Sequence, residues 1–171
     1  MAKELEIERK FLVVLPDLNR LDVKRKIEIM QTYLKRGSND SQRRVRKIIE
    51  NGSVFYTYTE KVFVSPVVRE ENESEITADE YVRLLEQSDK SCAPVEKIRY
   101  CFNYSDQLFE LDVYPFSNDY AIMELELDFP EQKIYFPECV NVLKDVSDDK
   151  RYSNASLALA ASFPEEACSC R

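Results

Sequence analysis

The sequence predicts a mainly β chain of about eight antiparallel strands with two or three short helices, and three observations carry that prediction. Apolar and polar residues alternate with period two in eight segments. Short turn signals, not long linkers, separate those segments. One helix start is marked by the capping signature Thr77-Ala78-Asp79-Glu80. An antiparallel sheet of that size closes into a barrel or splits into a sandwich. The 171 residues fit a single domain. We expect its core over about residues 4–160 and a flexible tail at 161–171.

Taken in order, the predicted strands are Glu4–Val13, Ile29–Arg36, Gln42–Glu50, Ser53–Phe63, Arg69–Ile76, Val95–Asn103, Leu108–Tyr114 and Ala121–Asp128. Asn51-Gly52 between the third and fourth is a hairpin signal for a type I′ turn, which needs positive φ at both residues. After the capping signature, Ala78, Tyr81, Val82, Leu84 and Leu85 follow helical spacing to about Ser88. Residues 20–27 read as a short basic amphipathic helix, with Lys24, Arg25 and Lys26 as its solvated face. Ser153–Ala161 reads as a small-residue helix, with Asp148 and Asp149 placed to cap it.

Composition excludes several kinds of chemistry. There is no His, so neither a Ser-His or Cys-His nucleophile nor an imidazole metal ligand exists. With only Gly37 and Gly52, the chain has no glycine-rich phosphate cradle. The net charge of −8 argues against a nucleic-acid binder. No apolar run approaches the ~20 residues that span a bilayer, and MAKELEIERK is too charged for a signal peptide. We therefore expect a cytoplasmic protein with reduced thiols, the Cys168-x-Cys170 tail included. Tyr33, Tyr56, Tyr58 and Tyr100 are expected in packing, as are Cys92 and Cys101.

Charge is patterned on strand faces. Glu6, Glu8 and Lys10 share one face of the first strand. Arg44 and Arg46 share another, as do Thr57, Thr59 and Lys61. The same spacing recurs in Arg69-Glu71-Glu73-Glu75, Lys97-Arg99, Glu110-Asp112 and Glu124-Glu126-Asp128. Like charges two residues apart repel. Carboxylate clusters of this kind suit a hard divalent cation, and Arg/Lys clusters suit phosphate oxygens. Together they describe a polyphosphate bound through metal.

Several segments, in order, resemble one known family. EIERKF (6–11) resembles the ExExK signature of the CYTH superfamily, the triphosphate tunnel metalloenzymes. QTYL (31–34), RRVRK (43–47), TEK (59–61), REENESEI (69–76), EKIRY (96–100), ELDVY (110–114), MELEL (123–127) and VSDDKRYSNASLA (146–158) continue the likeness. The chain is most similar to the short, single-domain bacterial members. The resemblance implies a closed eight-stranded antiparallel β-barrel whose charged residues point into a tunnel. It also implies Mg²⁺ or Mn²⁺ and a small-molecule triphosphate substrate. Its implied metal ligands are Glu6, Glu8, Glu124 and Glu126. Its implied phosphate contacts are Lys10, Arg44, Arg46, Lys61, Arg69, Lys97, Arg99 and Arg151. Glu73 and Glu75 would face the metal or the attacking water, and Lys61 and Tyr33 match residues that activate water in some members. Ser147-Asp148-Asp149 stands where the family often has Thr-x-Asp.

The expected activity is metal-dependent hydrolysis of inorganic tripolyphosphate, with nucleoside or thiamine triphosphates as further substrates. The alternatives are a class IV-like adenylate cyclase and a non-catalytic polyphosphate-binding module. Neither a nucleic acid nor a membrane is an expected partner, and apolar positions on the outer strand faces leave room for a homodimer.

Overall fold

Strand-forming alternation governs most of the chain. The computed structural model describes residues 7–65 and 68–165, which form nine strands in antiparallel sheet and two α-helices. The strands are β1 (Ile7–Val14), β2 (Val23–Leu34), β3 (Gln42–Glu50), β4 (Ser53–Ser65), β5 (Val68–Ile76), β6 (Val95–Tyr104), β7 (Gln107–Val113), β8 (Tyr120–Leu127) and β9 (Val142–Asp145). The helices are α1 (Ala78–Leu85) and α2 (Asn154–Ala160). The chain divides into two compact units. The first takes its described residues from 7–26, 97–153 and 162–165, the second from 27–65, 68–96 and 154–161.

In the first unit the strand order is β6-β7-β8-β1-β9. One large apolar cluster lies on one face, while Leu12 and Ile122 are buried on the other. Phe11 and Val13 of β1 pack with Met123, Leu125 and Leu127 of β8, Phe109 and Leu111 of β7, and Phe102 of β6. Leu18, Leu21 and Val23 cover that face from one segment, and Ile134, Phe136 and Val140 from another. Phe102 and Phe109 stack with centroids 5.4 Å apart, and Phe11 meets Phe136 edge-on at 5.0 Å. Glu8 and Lys10 of β1, Lys97 and Arg99 of β6, Glu110 and Asp112 of β7, and Glu124 and Glu126 of β8 occupy the opposite face, because side chains alternate along a strand.

In the second unit the order is β5-β4-β3-β2. The β3–β4 hairpin turns at Asn51 and Gly52, with φ of 51° and 79°, as the type I′ expectation requires. Leu34, Val45, Tyr56, Tyr58 and Ile76 meet Tyr81, Leu84 and Leu85 of α1 on one face. α1 starts at Thr77 as expected. Glu80 N–H donates to Thr77 Oγ1 at 3.2 Å, and Thr77 N–H donates to the Glu80 carboxylate at 2.8 Å. Thr77→Ala removes one half of that box and is expected to cost about 1 kcal/mol, read as a lower urea midpoint.

Two expectations need correction. The helix expected at 20–27 is absent: Leu18–Arg20 is a single 3-10 turn capped by Asp17, and β2 begins at Val23. Val23, Ile27 and Ile29 are β-branched and favour extended chain. The three exposed cations Lys24, Arg25 and Lys26 obscured their alternation. The second correction is strand count. The four-residue β9 pairs with β1, Phe11 opposite Asp145, and is too short to announce itself by periodicity. The C-terminal helix forms as expected, while Asp149 caps a separate 3-10 turn, Lys150–Tyr152, ahead of it. Among the described residues, no helix is long and apolar enough to cross a membrane.

Candidate functional site

Register builds a lattice of polar side chains on one face of the second unit. Tyr33, Arg44, Thr59 and Glu73 fall in one cross-strand row, and Gln31, Arg46, Thr57 and Glu75 in the next. Lys61 and Glu71 lie in a third, opposite Gln42. Arg44 is only 8 % exposed, and its Nη2 reaches Glu71 at 3.0 Å and Glu73 at 3.9 Å. Arg46 Nη1 lies 3.6 Å from Glu73, which also accepts a 2.7 Å bond from Thr59 Oγ1. The Lys61 ammonium sits 2.7 Å from Glu71. Burial alone would raise the Glu71 carboxyl, but the Lys61 and arginine charges bring it below its ordinary value. Two buried polar atoms on this face, Arg44 Nε and Thr57 Oγ1, have no hydrogen-bond partner. Such atoms are costly unless a ligand pairs with them.

Gln31 is 0 % exposed. Its Oε1 accepts from Arg46 Nε at 2.8 Å, and its Nε2 donates to the Tyr33 hydroxyl at 2.9 Å. Burial raises the Tyr33 phenol, against the lowering effect of Arg44 and Arg46, so the hydroxyl stays protonated at neutral pH.

A second charged set occupies one face of the first unit. Glu8 stands opposite Glu126, and Lys10 opposite Glu124, which is itself opposite Glu110. Lys10 Nζ reaches Glu124 at 2.8 Å and Glu8 at 3.9 Å. Arg99 pairs with Glu110, and it also reaches Glu124 at 2.8 Å and Asp112 at 2.7 Å. Asp112 is 0 % exposed and accepts from Lys97 Nζ at 2.5 Å. Burial opposes ionisation of Asp112, yet Lys97 and Arg99 hold it down at about 2. Burial drives Lys97 downward, with Asp112 pulling the other way.

Glu8 and Glu110 behave differently from Asp112. Burial raises both carboxyls, and the charge of Glu124 adds to the rise in each. On this face three cations, Lys10, Lys97 and Arg99, meet five acids, Glu8, Glu110, Asp112, Glu124 and Glu126. The surplus of hard oxygen donors fits Mg²⁺ or Mn²⁺ in chemistry. Among the described residues, no three acids or cysteines converge as a ready-made metal cage. Mg²⁺ commonly takes one or two carboxylates and completes its shell with water and substrate phosphate.

Most of the residues expected from sequence fall into these two sets. Tyr33, Arg44, Arg46, Lys61, Glu73 and Glu75 share the face in the second unit, and Glu8, Lys10, Lys97, Arg99, Glu124 and Glu126 that in the first. Arg151 is engaged by Asp149 at 2.7 Å, close by in the chain. Glu6 lies outside the described residues, as do the side chain of Arg69 and the Cys168-x-Cys170 tail. Tyr56, Tyr58 and Tyr100 pack in the cores as expected, whereas Tyr33 belongs to the polar face. Asp112 was expected on a charged face with Glu110 but was assigned no role, and Gln31 was not anticipated as a member. Spacing held a signal for Gln31, which is two residues before Tyr33.

The CYTH domain model matches residues 4–138. The chain belongs to the CYTH family. Two solved structures of the protein NE1496 resemble this CYTH chain closely. One, described as an inorganic triphosphatase, is 30% identical with a TM-score of 0.62, covering 96% of this chain and 99% of that one. The other, described as a hypothetical protein, is 31% identical with a TM-score of 0.60, covering 94% and 100%. The PH1819 protein of Pyrococcus horikoshii OT3 is 19% identical with a TM-score of 0.53, over 73% of this chain and 80% of that one, a likeness of fold alone. No curated protein matches the chain.

Proposed function

We propose that this CYTH protein is a divalent-cation-dependent hydrolase of triphosphates, with inorganic tripolyphosphate its first substrate and nucleoside or thiamine triphosphates further ones. The observation that carries the proposal is the same-face array of Arg44, Arg46 and Lys61, with a buried arginine N–H left unpaired. A polyanion would satisfy it. The 30% identity to a protein described as an inorganic triphosphatase supports the same chemistry. The closed tunnel implied by the family resemblance is part of this proposal.

The residues divide the work by charge. Arg44, Arg46 and Lys61, with Arg69, hold phosphate oxygens and fix the chain of phosphates for in-line attack. Lys10, Lys97, Arg99 and Arg151 are the further phosphate contacts proposed, with Lys97 and Arg99 also tethering Asp112. Glu8, Glu124 and Glu126, with Glu6, would hold the cation. Bound there, Mg²⁺ or Mn²⁺ would supply Lewis-acid polarisation of a phosphoryl oxygen. Glu73 and Glu75 orient the attacking water and take its proton, there being no His to do so. Lys61 and Tyr33 complete the set around that water.

The decisive experiment measures orthophosphate released from tripolyphosphate, ATP and thiamine triphosphate with Mg²⁺ or Mn²⁺, then with EDTA. Turnover that EDTA abolishes and added metal restores is the expected result. Cyclic AMP without orthophosphate would indicate a cyclase, and no turnover with any substrate a binding module. Arg46→Ala is expected to raise KM for tripolyphosphate about tenfold, the equivalent of about 1.4 kcal/mol of lost phosphate contact, in steady-state kinetics.

A further inference from the structure

The polar face of the second unit contains a hydrogen-bond chain whose direction is set by chemistry. Arginine Nε can only donate. The Gln31 atom at 2.8 Å from Arg46 Nε is therefore its carbonyl oxygen, which turns its NH₂ toward Tyr33. The Tyr33 oxygen accepts from that NH₂, and Arg44 stands opposite Tyr33 in the pairing of β2 with β3. A phenol oxygen that receives an N–H donor keeps its own O–H to give away. The chain thus runs from Arg46 through Gln31 to Tyr33 and ends on an O–H donor beside Arg44.

We propose that Gln31 is a positioning residue that fixes the Tyr33 hydroxyl as a hydrogen-bond donor to a phosphate oxygen, and that Tyr33 is not the base that takes a proton from water. This rests on the triphosphatase function proposed above and refines it. Proton abstraction then falls to the carboxylates on β5, Glu73 and Glu75, which share rows with Tyr33 and Gln31. Burial favours the arrangement: Gln31 is wholly enclosed, so water cannot take over either of its hydrogen bonds. The bonds also place the Arg46 side chain, which leaves its Nη edge near Glu73.

The test is a double-mutant cycle of Gln31→Met and Tyr33→Phe, read in tripolyphosphate turnover with Mg²⁺ and in thermal midpoint. Each single variant is expected to lower kcat about tenfold with KM changed less than about threefold, and the double variant to lose no more than about threefold beyond either. Losses that multiply overturn the proposal, as does a Gln31→Met variant that raises KM and keeps kcat. Gln31→Glu serves where Gln31→Met fails to fold. Its carboxylate still accepts from Arg46, but it can only accept at Tyr33 and so draws the hydroxyl proton away from substrate. A tenfold loss of kcat that vanishes in the Tyr33→Phe background supports the proposal, and an equal loss in that background overturns it. Wild-type protein with no turnover on any triphosphate overturns both the function and this role. The thermal cycle then still reports the bond, because coupled midpoint shifts at 31 and 33 require it. Normal wild-type turnover with independent losses overturns the role of Gln31 alone.

Discussion

Replacing Glu8 or Glu126 by Gln is expected to lower metal-dependent turnover by about a hundredfold or more in kcat/KM, while the protein still folds. The two residues face one another across β1 and β8. Neither belongs to the apolar cluster around Phe11, Met123 and Leu125, which lies on the other face of those strands. Burial and the charge of Glu124 raise the Glu8 carboxyl, so its ionised form is disfavoured in the folded protein. A group with a raised folded-state value contributes stability below its unfolded value and loses that contribution as pH rises through the folded one. At neutral pH the charge on Glu8 therefore opposes folding, and Glu8→Gln removes that opposition. Thermal melts are expected to place the variant at or above wild type at pH 8, with the gap narrowing at pH 5. Phosphate release with Mg²⁺ measures the other half. A variant with full activity would remove Glu8 from the metal set.

Asp112→Asn should have the opposite profile, with a large loss of stability at neutral pH. Asp112 accepts from Lys97 and from Arg99, and both Asp112 and Lys97 are enclosed. Deleting one partner of a buried pair leaves the other charge without compensation, which typically costs about 3–5 kcal/mol. The carboxyl is held at about 2, so its contribution is present above the unfolded value near 4 and disappears as pH falls toward 2. Urea denaturation at pH 7 should show the full deficit, and at pH 3 a smaller one. Lys97→Met added to Asp112→Asn should recover part of the loss, since the stranded ammonium goes with it. Equal midpoints for wild type and Asp112→Asn at pH 7 would show that the triad carries no net stability. Turnover should also fall, because Arg99 loses the carboxylate that holds its planar fork toward Glu124.

Much of the strand layout was legible because most strands set apolar and polar residues on opposite faces, and that alternation prints its period on the sequence. Thr77 and the Asn51-Gly52 turn were legible for a related reason: their chemistry is local. β9 and the start of β2 were not. Four residues hold too little of a period to read, and three consecutive basic residues hide the alternation of Val23 and Ile27. The charged faces could be read from spacing at two residues. What spacing could not supply was which charges cancel one another. Asp112 and Lys97 are distant in sequence and meet only through the pairing of β6 with β7. Gln31 carried no role in the sequence, and it gained one only when β3 brought Arg46 alongside it.

In each unit one apolar cluster packs on one side of the strands, and the clustered ionised side chains lie on the other. Folding and chemistry therefore draw on largely different residues of the same strands, with the buried Asp112–Lys97 pair bearing on both. A lineage with this layout can exchange acids, amides and hydroxyls at alternate positions and retune substrate preference without disturbing the oily layer that makes it fold. That separation gives the scaffold room to drift among phosphate-bearing molecules while its backbone pairing stays constant.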